Sequence, residues 1–161
     1  MQVHVNEVIF RGSTELPDEL NALKTPYECF NFFLTEEFVK YLADQFNLYA
    51  RQKNLLTRFT TNTQEIRKFF GILFFMSVFR YPNVRSYWLK NALPAVGNTM
   101  SQKRFEEVRR FVHFNDDSLA KGANQEGHDK LFKIRPLIDH FNKHFLRVPI
   151  LQRLCVDEMM C

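Results

Sequence analysis

The sequence predicts a mostly α-helical chain that closes on one short strand. Three observations carry this. Apolar residues recur at helical spacing in successive segments, as in Phe38, Leu42, Phe46 and Tyr49. Residues able to cap a helix stand just before such segments, at Thr35, Thr63 and Ser101. The one convincing strand pattern, around residues 153–157, comes last and reads Arg-Leu-Cys-Val-Asp.

The elements follow in order. Residues 1–24 mix polarities and hold Gly-Ser-Thr and Leu-Pro-Asp, so a loosely ordered entry segment is expected, with Val3, Val5, Val8 and Ile9 as a short extended piece. Thr25-Pro26 opens a helix over about 26–32, since proline is tolerated in the first turn. Thr35 caps the next, with Glu36 and Glu37 at its positive end and Arg51 and Lys53 at its negative end. Thr63 is expected to cap a helix over about 64–79, whose second half is apolar nearly all round. A helix of that pattern belongs in the centre of an assembly. Tyr81-Pro82-Asn83 ends it, and a short helical piece around 84–90 carries Tyr87 and Trp88. Ser101 caps a helix to about 112, with Phe105, Val108 and Val112 on one face. Residues 115–129 read as an exposed loop, and a last helix over about 132–146 follows, with Leu131, Ile134, Ile138, Phe141 and Phe145 as its expected core stripe.

A chain of 161 residues can bury one real core, and its 18 phenylalanines make aromatic helix contacts the expected filling. The net charge of +4 is unevenly spread. Residues 1–57 hold five basic and eight acidic groups, net −3; residues 58–110 hold ten and three, net +7; residues 111–161 hold seven of each. A positive middle suits a nucleic-acid surface, and equally a solvated helix face. Cys29, Cys155 and Cys161 form no C-x-x-C pair, so neither a disulfide scaffold nor a zinc finger is indicated, and a reducing compartment fits. The N-terminus lacks a signal-peptide layout. The longest greasy run, Phe69 to Phe79, is 11 residues, too short to span a bilayer.

Candidate sites are few. Asp157 and Glu158 follow the terminal apolar run and point to opposite faces of a strand, so they do not share one ion. Two-metal phosphodiester chemistry gathers several carboxylates from different elements. Asp157 is either the first acid of such a set or a strand-end acid facing solvent. His140 and His144 are four apart on one helix face, but position 141 is Phe rather than the Glu of H-E-x-x-H. Solvated or helix-terminal histidines are expected there, and His113 is expected to be structural or phosphate-facing. Arg80, Arg85, Lys103, Arg104, Arg109 and Arg110, interleaved with Tyr81, Tyr87 and Trp88, are candidate DNA-backbone contacts. The alternative is a basic, solvated face around a Phe core.

These blocks carry a resemblance. Glu65-Ile-Arg-Lys-Phe-Phe-Gly-Ile-Leu, Arg80-Tyr-Pro-Asn-Val-Arg-Ser-Tyr-Trp, Met100-Ser-Gln-Lys-Arg-Phe, Phe111-Val-His-Phe-Asn-Asp, Asp129-Lys-Leu-Phe-Lys-Ile-Arg-Pro and Val156-Asp-Glu resemble, in order and spacing, the piggyBac transposase family and its domesticated relatives. No single block is decisive; together they cover about residues 25–161.

The resemblance implies a fold class: mostly α, the helical dimerisation and DNA-binding domain of a piggyBac-like transposase, ending at the first strand of a truncated RNase H-like domain. It implies the boundaries 1–24 entry segment, 25–153 helical domain and 154–161 start of the catalytic domain. Asp157 matches the first catalytic acid and a metal ligand, functional only in a complete protein; Glu158 is not carried over. The family cuts and rejoins DNA with a divalent metal, usually Mg²⁺, and inserts at TTAA sites. Here the chain stops four residues after Asp157, where the family continues with Lys-Gly-Arg. The expectation is a chain that neither cleaves nor joins DNA and needs no cofactor. Its expected partners are double-stranded DNA, terminal repeats included, a second copy as a homodimer, or a full-length relative, with no membrane and a nuclear location. The alternatives are a protein-interaction module or a decayed fragment without function.

Overall fold

Why these segments coil is visible at their ends. A computed structural model describes residues 15–150. Helix α1 (Asp18–Asn21) and helix α2 (Pro26–Phe33) come first. A reciprocal capping box opens α2: Thr25 Oγ1 accepts from Glu28 N at 3.2 Å, while the Glu28 carboxylate accepts from Thr25 N at 2.8 Å and Lys24 N at 2.7 Å. Helix α3 (Glu36–Lys53) starts where Thr35 Oγ1 accepts from Phe38 N. Helix α4 (Thr63–Val78) is capped one residue earlier than expected, by Asn62 Oδ1 accepting from Glu65 N at 3.0 Å. A 3₁₀ turn at Val84–Trp88 leads to α5 (Pro94–Thr99) and α6 (Gln102–Arg110), the latter capped by Ser101. After 3₁₀ turns at Asp117–Leu119 and Phe132–Ile134 comes α7 (Arg135–Phe145).

The expectation of a mostly α chain closing on the first strand of an RNase H-like domain is corrected. Residues 15–150 hold helices, turns and loops and no β-strand. A strand exists by pairing its backbone N–H and C=O groups with a neighbouring strand, and none of the described residues supplies that neighbour. The run at 153–157, with Asp157 and Glu158, lies outside the described residues, as does the extended piece expected at 3–9.

Two compact units divide the chain. The larger, Leu34–His140, holds the main core. Helix α3 packs on α4, and α5 packs on both α4 and the Val84–Trp88 turn. From α3, Phe38, Val39, Leu42 and Phe46 are buried; from α4, Ile66, Phe69 and Ile72; from α6, Phe105 and Val108. Phe105 sits between Phe69 and Trp88, ring centroids 5.1 and 5.2 Å away. Burying a ring of this size stabilises by roughly 1.5–3 kcal/mol. Residues 111–117 are pinned to α3: Tyr41 Oη donates to Phe114 O at 2.9 Å, Gln52 Nε2 donates to Asp116 Oδ1 at 2.7 Å, and His113 stacks on Tyr49 at 4.1 Å.

The other unit joins the chain before Leu34 to the chain from Phe141 onward. Within it, His144 meets Phe32 edge-on at 5.5 Å and Phe145 lies 5.2 Å from Phe33. The Arg147 guanidinium lies 4.8 Å from the Phe32 ring centroid and pairs with Glu19. His144 stands in the last turn of α7, the helix-terminal place expected from sequence, and is buried in this packing; His140 is half-buried and stacks on Phe38 at 3.8 Å.

Two short helices escaped the sequence pattern. Helix α1 has four residues, and α5 has six, opened by Pro94 and interrupted by Gly97. Neither completes two turns, so no helical period is there to read. In α4 the burial all round expected of the apolar second half is not found: only Ile66, Phe69 and Ile72 are buried along the helix. Leu73, Phe74, Val78 and Phe79 are exposed, Val78 by 73%.

Candidate nucleic-acid interface

The basic residues of the middle segment are sorted by how the fold anchors the Val84–Trp88 turn. Asn83 Oδ1 caps the turn by accepting from Ser86 N at 3.0 Å. The buried Tyr87 hydroxyl donates to Phe79 O at 2.6 Å, at the C-terminal end of α4, and accepts from Tyr81 N at 3.1 Å. Trp88 Nε1 donates to Met100 O at 2.8 Å, just ahead of the Ser101 cap of α6. One aromatic thus ties the turn to α4, and the next ties it to α6.

That anchoring sets Arg85 against α6. An open groove is lined by Asn83, Val84, Arg85, Glu106, Arg109 and Arg110. Its charged lining is three arginines against one glutamate, net +2. Arg85 Nε donates to Glu106 Oε1 at 3.1 Å, and Gln102 Nε2 donates to the same oxygen at 3.0 Å. The Gln102 amide first, joined by the Arg85 guanidinium, holds the Glu106 carboxyl below the usual carboxylate range against the opposing push of desolvation. Arg109 and Arg110 are exposed.

Arg104 belongs elsewhere. Its Nε and Nη2 donate to the two Glu65 oxygens at 2.5 and 2.6 Å, Nη1 donates to Glu107 at 2.7 Å, and Nη2 also reaches Thr60 O. Glu65 in turn accepts from Thr61 Oγ1 at 2.7 Å. The guanidinium lies 5.0 Å from the Phe59 ring centroid. With this many partners its pKa is raised, chiefly by the Glu65 hydrogen bond. Arg104 therefore braces α6 against the start of α4 and is removed from the solvent-facing cations.

Of the six basic residues expected to meet DNA, the structure brings Arg85, Arg109 and Arg110 together. Lys103 is exposed on the outer side of α6, and Arg80 is exposed just after α4. Sequence reading missed Glu106 and Asn83. A signal was present for Glu106: it stands four residues before Arg110 and four after Gln102, the spacing that places side chains on one helix face.

Among the described residues, no group of three or more His, Cys, Asp or Glu could hold a metal ion. Asp157, the expected first ligand, lies outside them. Among the described residues no helix is long and apolar enough to cross a membrane.

The sequence profile of the Transposase IS4 family, a DDE transposase family, matches residues 25–161. The chain belongs to this family. Among its relatives, the human PiggyBac transposable element-derived protein 3 is 30% identical over 97% of this chain and 26% of its own length. The human PiggyBac transposable element-derived protein 2 is 28% identical over 85% of this chain and 23% of its own length. The transposase-family chain thus spans about a quarter of the length of these relatives. The homology to piggyBac-derived proteins is distant. No solved structure matches the chain significantly.

Proposed function

We propose that this transposase-family chain is a double-stranded DNA-binding segment of a piggyBac-derived protein. Its DNA surface is the groove between the Val84–Trp88 turn and α6. The observation that carries the reading is the convergence of Arg85, Arg109 and Arg110 on one open groove with a single opposing acid. Arginine forks bind phosphate bidentately, and each neutralised phosphate releases counterions. Lys103 and Arg80 extend the positive surface; Arg104 supports it from behind. Helices α4 and α6 set the spacing of these contacts, and the two aromatic hydrogen bonds from Tyr87 and Trp88 fix the turn.

In the whole protein the proposed activity is transposase-like DNA strand cleavage and transfer with divalent metal. This segment is proposed to supply binding rather than chemistry, because a two-metal phosphodiester site draws several carboxylates together and the described residues hold no such group. Asp157 is proposed as one ligand of a site completed elsewhere in the protein. A metal-dependent nick made by the purified chain, and lost in Asp157→Ala, would overturn that assignment. Work on DNA implies a nuclear location, which imaging of a fluorescent fusion checks.

The test is a binding titration against terminal-repeat and scrambled duplexes at two salt concentrations. The expected result is affinity that falls steeply with salt, with a log–log slope made shallower by about 0.9 in Arg109→Ala and again in Arg110→Ala. Salt-independent or absent binding by the folded chain would remove the reading.

A second reading has its own observation. Leu73, Val78 and Phe79 expose apolar surface on the last turns of α4, Val78 and Phe79 by 73% and 46%. Exposed apolar side chains close together in the chain suit an association face. Pairing with a second copy or a full-length relative through this face would survive high salt, unlike DNA binding. Sedimentation of wild type and Val78→Asp in concentrated salt separates the two.

A further inference from the structure

Glu106 is the one acid that lines the groove. We infer that its carboxylate restrains sequence-independent DNA binding by competing with the DNA backbone for Arg85; the inference rests on the DNA-binding reading above. Glu106 Oε1 accepts from both Arg85 Nε at 3.1 Å and Gln102 Nε2 at 3.0 Å, so the carboxylate is aimed into the groove by its own helix. The Arg85 side chain is 74% exposed and that of Glu106 36%, so the pair stands at the surface where a duplex would arrive. An exposed pair of this kind is weak and breaks readily. A phosphate can therefore take Arg85, but only beside a negative charge fixed in place. That cost falls on every phosphate alike, whatever the base sequence. It can be offset only by additional interactions, which a preferred site provides and a random one does not.

Glu107 makes the comparison clean. It carries the same charge one residue further along α6, yet it is spent on Arg104 at 2.7 Å and does not line the groove. Glu106→Gln keeps the shape and the Gln102 hydrogen bond while removing the charge.

The experiment measures affinity for a random-sequence duplex at two salt concentrations, with the wild-type chain, Glu106→Gln, Glu107→Gln and Arg85→Ala with and without Glu106→Gln. Thermal unfolding of each variant verifies the fold. Glu106→Gln should bind about tenfold tighter at low salt, with a slope steeper by up to about 0.9 because Arg85, shared with Glu106 in the wild type, is then given wholly to a phosphate. Glu107→Gln should bind little more tightly than wild type. In the Arg85→Ala background most of the Glu106→Gln improvement should vanish, because the charge acts through Arg85. Wild-type binding with no improvement in Glu106→Gln overturns the inference and leaves the DNA reading standing. Equal improvement in both glutamine variants reduces the effect to net charge and also overturns it. A folded chain that binds in none of these forms overturns both.

Discussion

The Arg104 guanidinium lies against the Glu65 carboxylate, Nε to Oε1 at 2.5 Å and Nη2 to Oε2 at 2.6 Å, across 39 residues of sequence. Both side chains are largely shielded, 29% and 20% exposed. The pair fastens the start of α6 to the first turn of α4, and thereby holds the helix that carries Glu106, Arg109 and Arg110. Arg104→Ala leaves a shielded carboxylate with the Thr61 hydroxyl and little else. The expected cost is about 1–3 kcal/mol of stability. Urea unfolding followed by Trp88 fluorescence measures it. Arg104→Ala should leave the salt slope of DNA binding where it was, whereas Arg109→Ala lowers that slope.

Acid should find the same pair. Burial pushes the Glu65 carboxyl up, but its hydrogen bonds from Arg104 and Thr61 outweigh burial, and the net direction is below the ordinary value of 4.5. A carboxyl depressed in the folded state contributes stability that is present above its unfolded value. That stability is lost as pH falls through the folded value. Unfolding free energy should therefore start to fall as pH drops below about 4.5. In Glu65→Gln this part of the acid dependence should be missing. An identical acid profile in both proteins would rule the pair out as its source.

Asp129 sets where α7 begins. Its carboxylate accepts from Arg135 Nε and Nη2, both at 2.7 Å, and from Leu131 N at 2.9 Å. The Arg135 bonds first, then the Leu131 amide, pull it down to about 2 from an ordinary 3.8. A carbon-detected NMR titration should place the Asp129 midpoint near 2, and Arg135→Ala should return it towards 3.8. By the same sign rule, the local contribution is intact above pH 3.8 and lost on the way to 2. Asp129→Asn should fray the 129–135 segment, seen as faster amide exchange at Leu131.

Tyr87 carries a buried hydroxyl that ties the Val84–Trp88 turn to the end of α4. Tyr87→Phe keeps the ring and strips the bond to Phe79 O, leaving that carbonyl and the Tyr81 amide short of a partner. The expected loss is about 1–3 kcal/mol. Because the turn also carries Arg85, DNA affinity should fall together with stability. Affinity unchanged in a destabilised Tyr87→Phe would mean that Arg85 does not depend on this anchor.

The sequence by itself determined the helices that are long enough to show a period. Phe38, Leu42 and Phe46 mark the buried stripe of α3, and Thr35 and Ser101 cap the helices that follow them. These are local matters: a 3.6-residue repeat and a side chain reaching an amide three residues away. The clustering of positive charge between 58 and 110 was equally legible. The described residues hold no β-strand, and the closing strand expected at 153–157 lies outside them; a strand needs a partner from elsewhere in the chain, which no local pattern supplies. Only the tertiary structure decided which cations face solvent. Arg104 and Arg109 stand five residues apart in one basic run, and nothing local distinguishes them. What separates them is Glu65, brought across by the packing of Phe69 on Phe105. Likewise the second half of α4 reads as core material, yet only neighbours can bury a helix face, and in this unit they cover Ile66, Phe69 and Ile72 while leaving Val78 and Phe79 exposed. Ion pairing and burial are properties of pairs distant in sequence, and that is why the fold, rather than the pattern, assigns them.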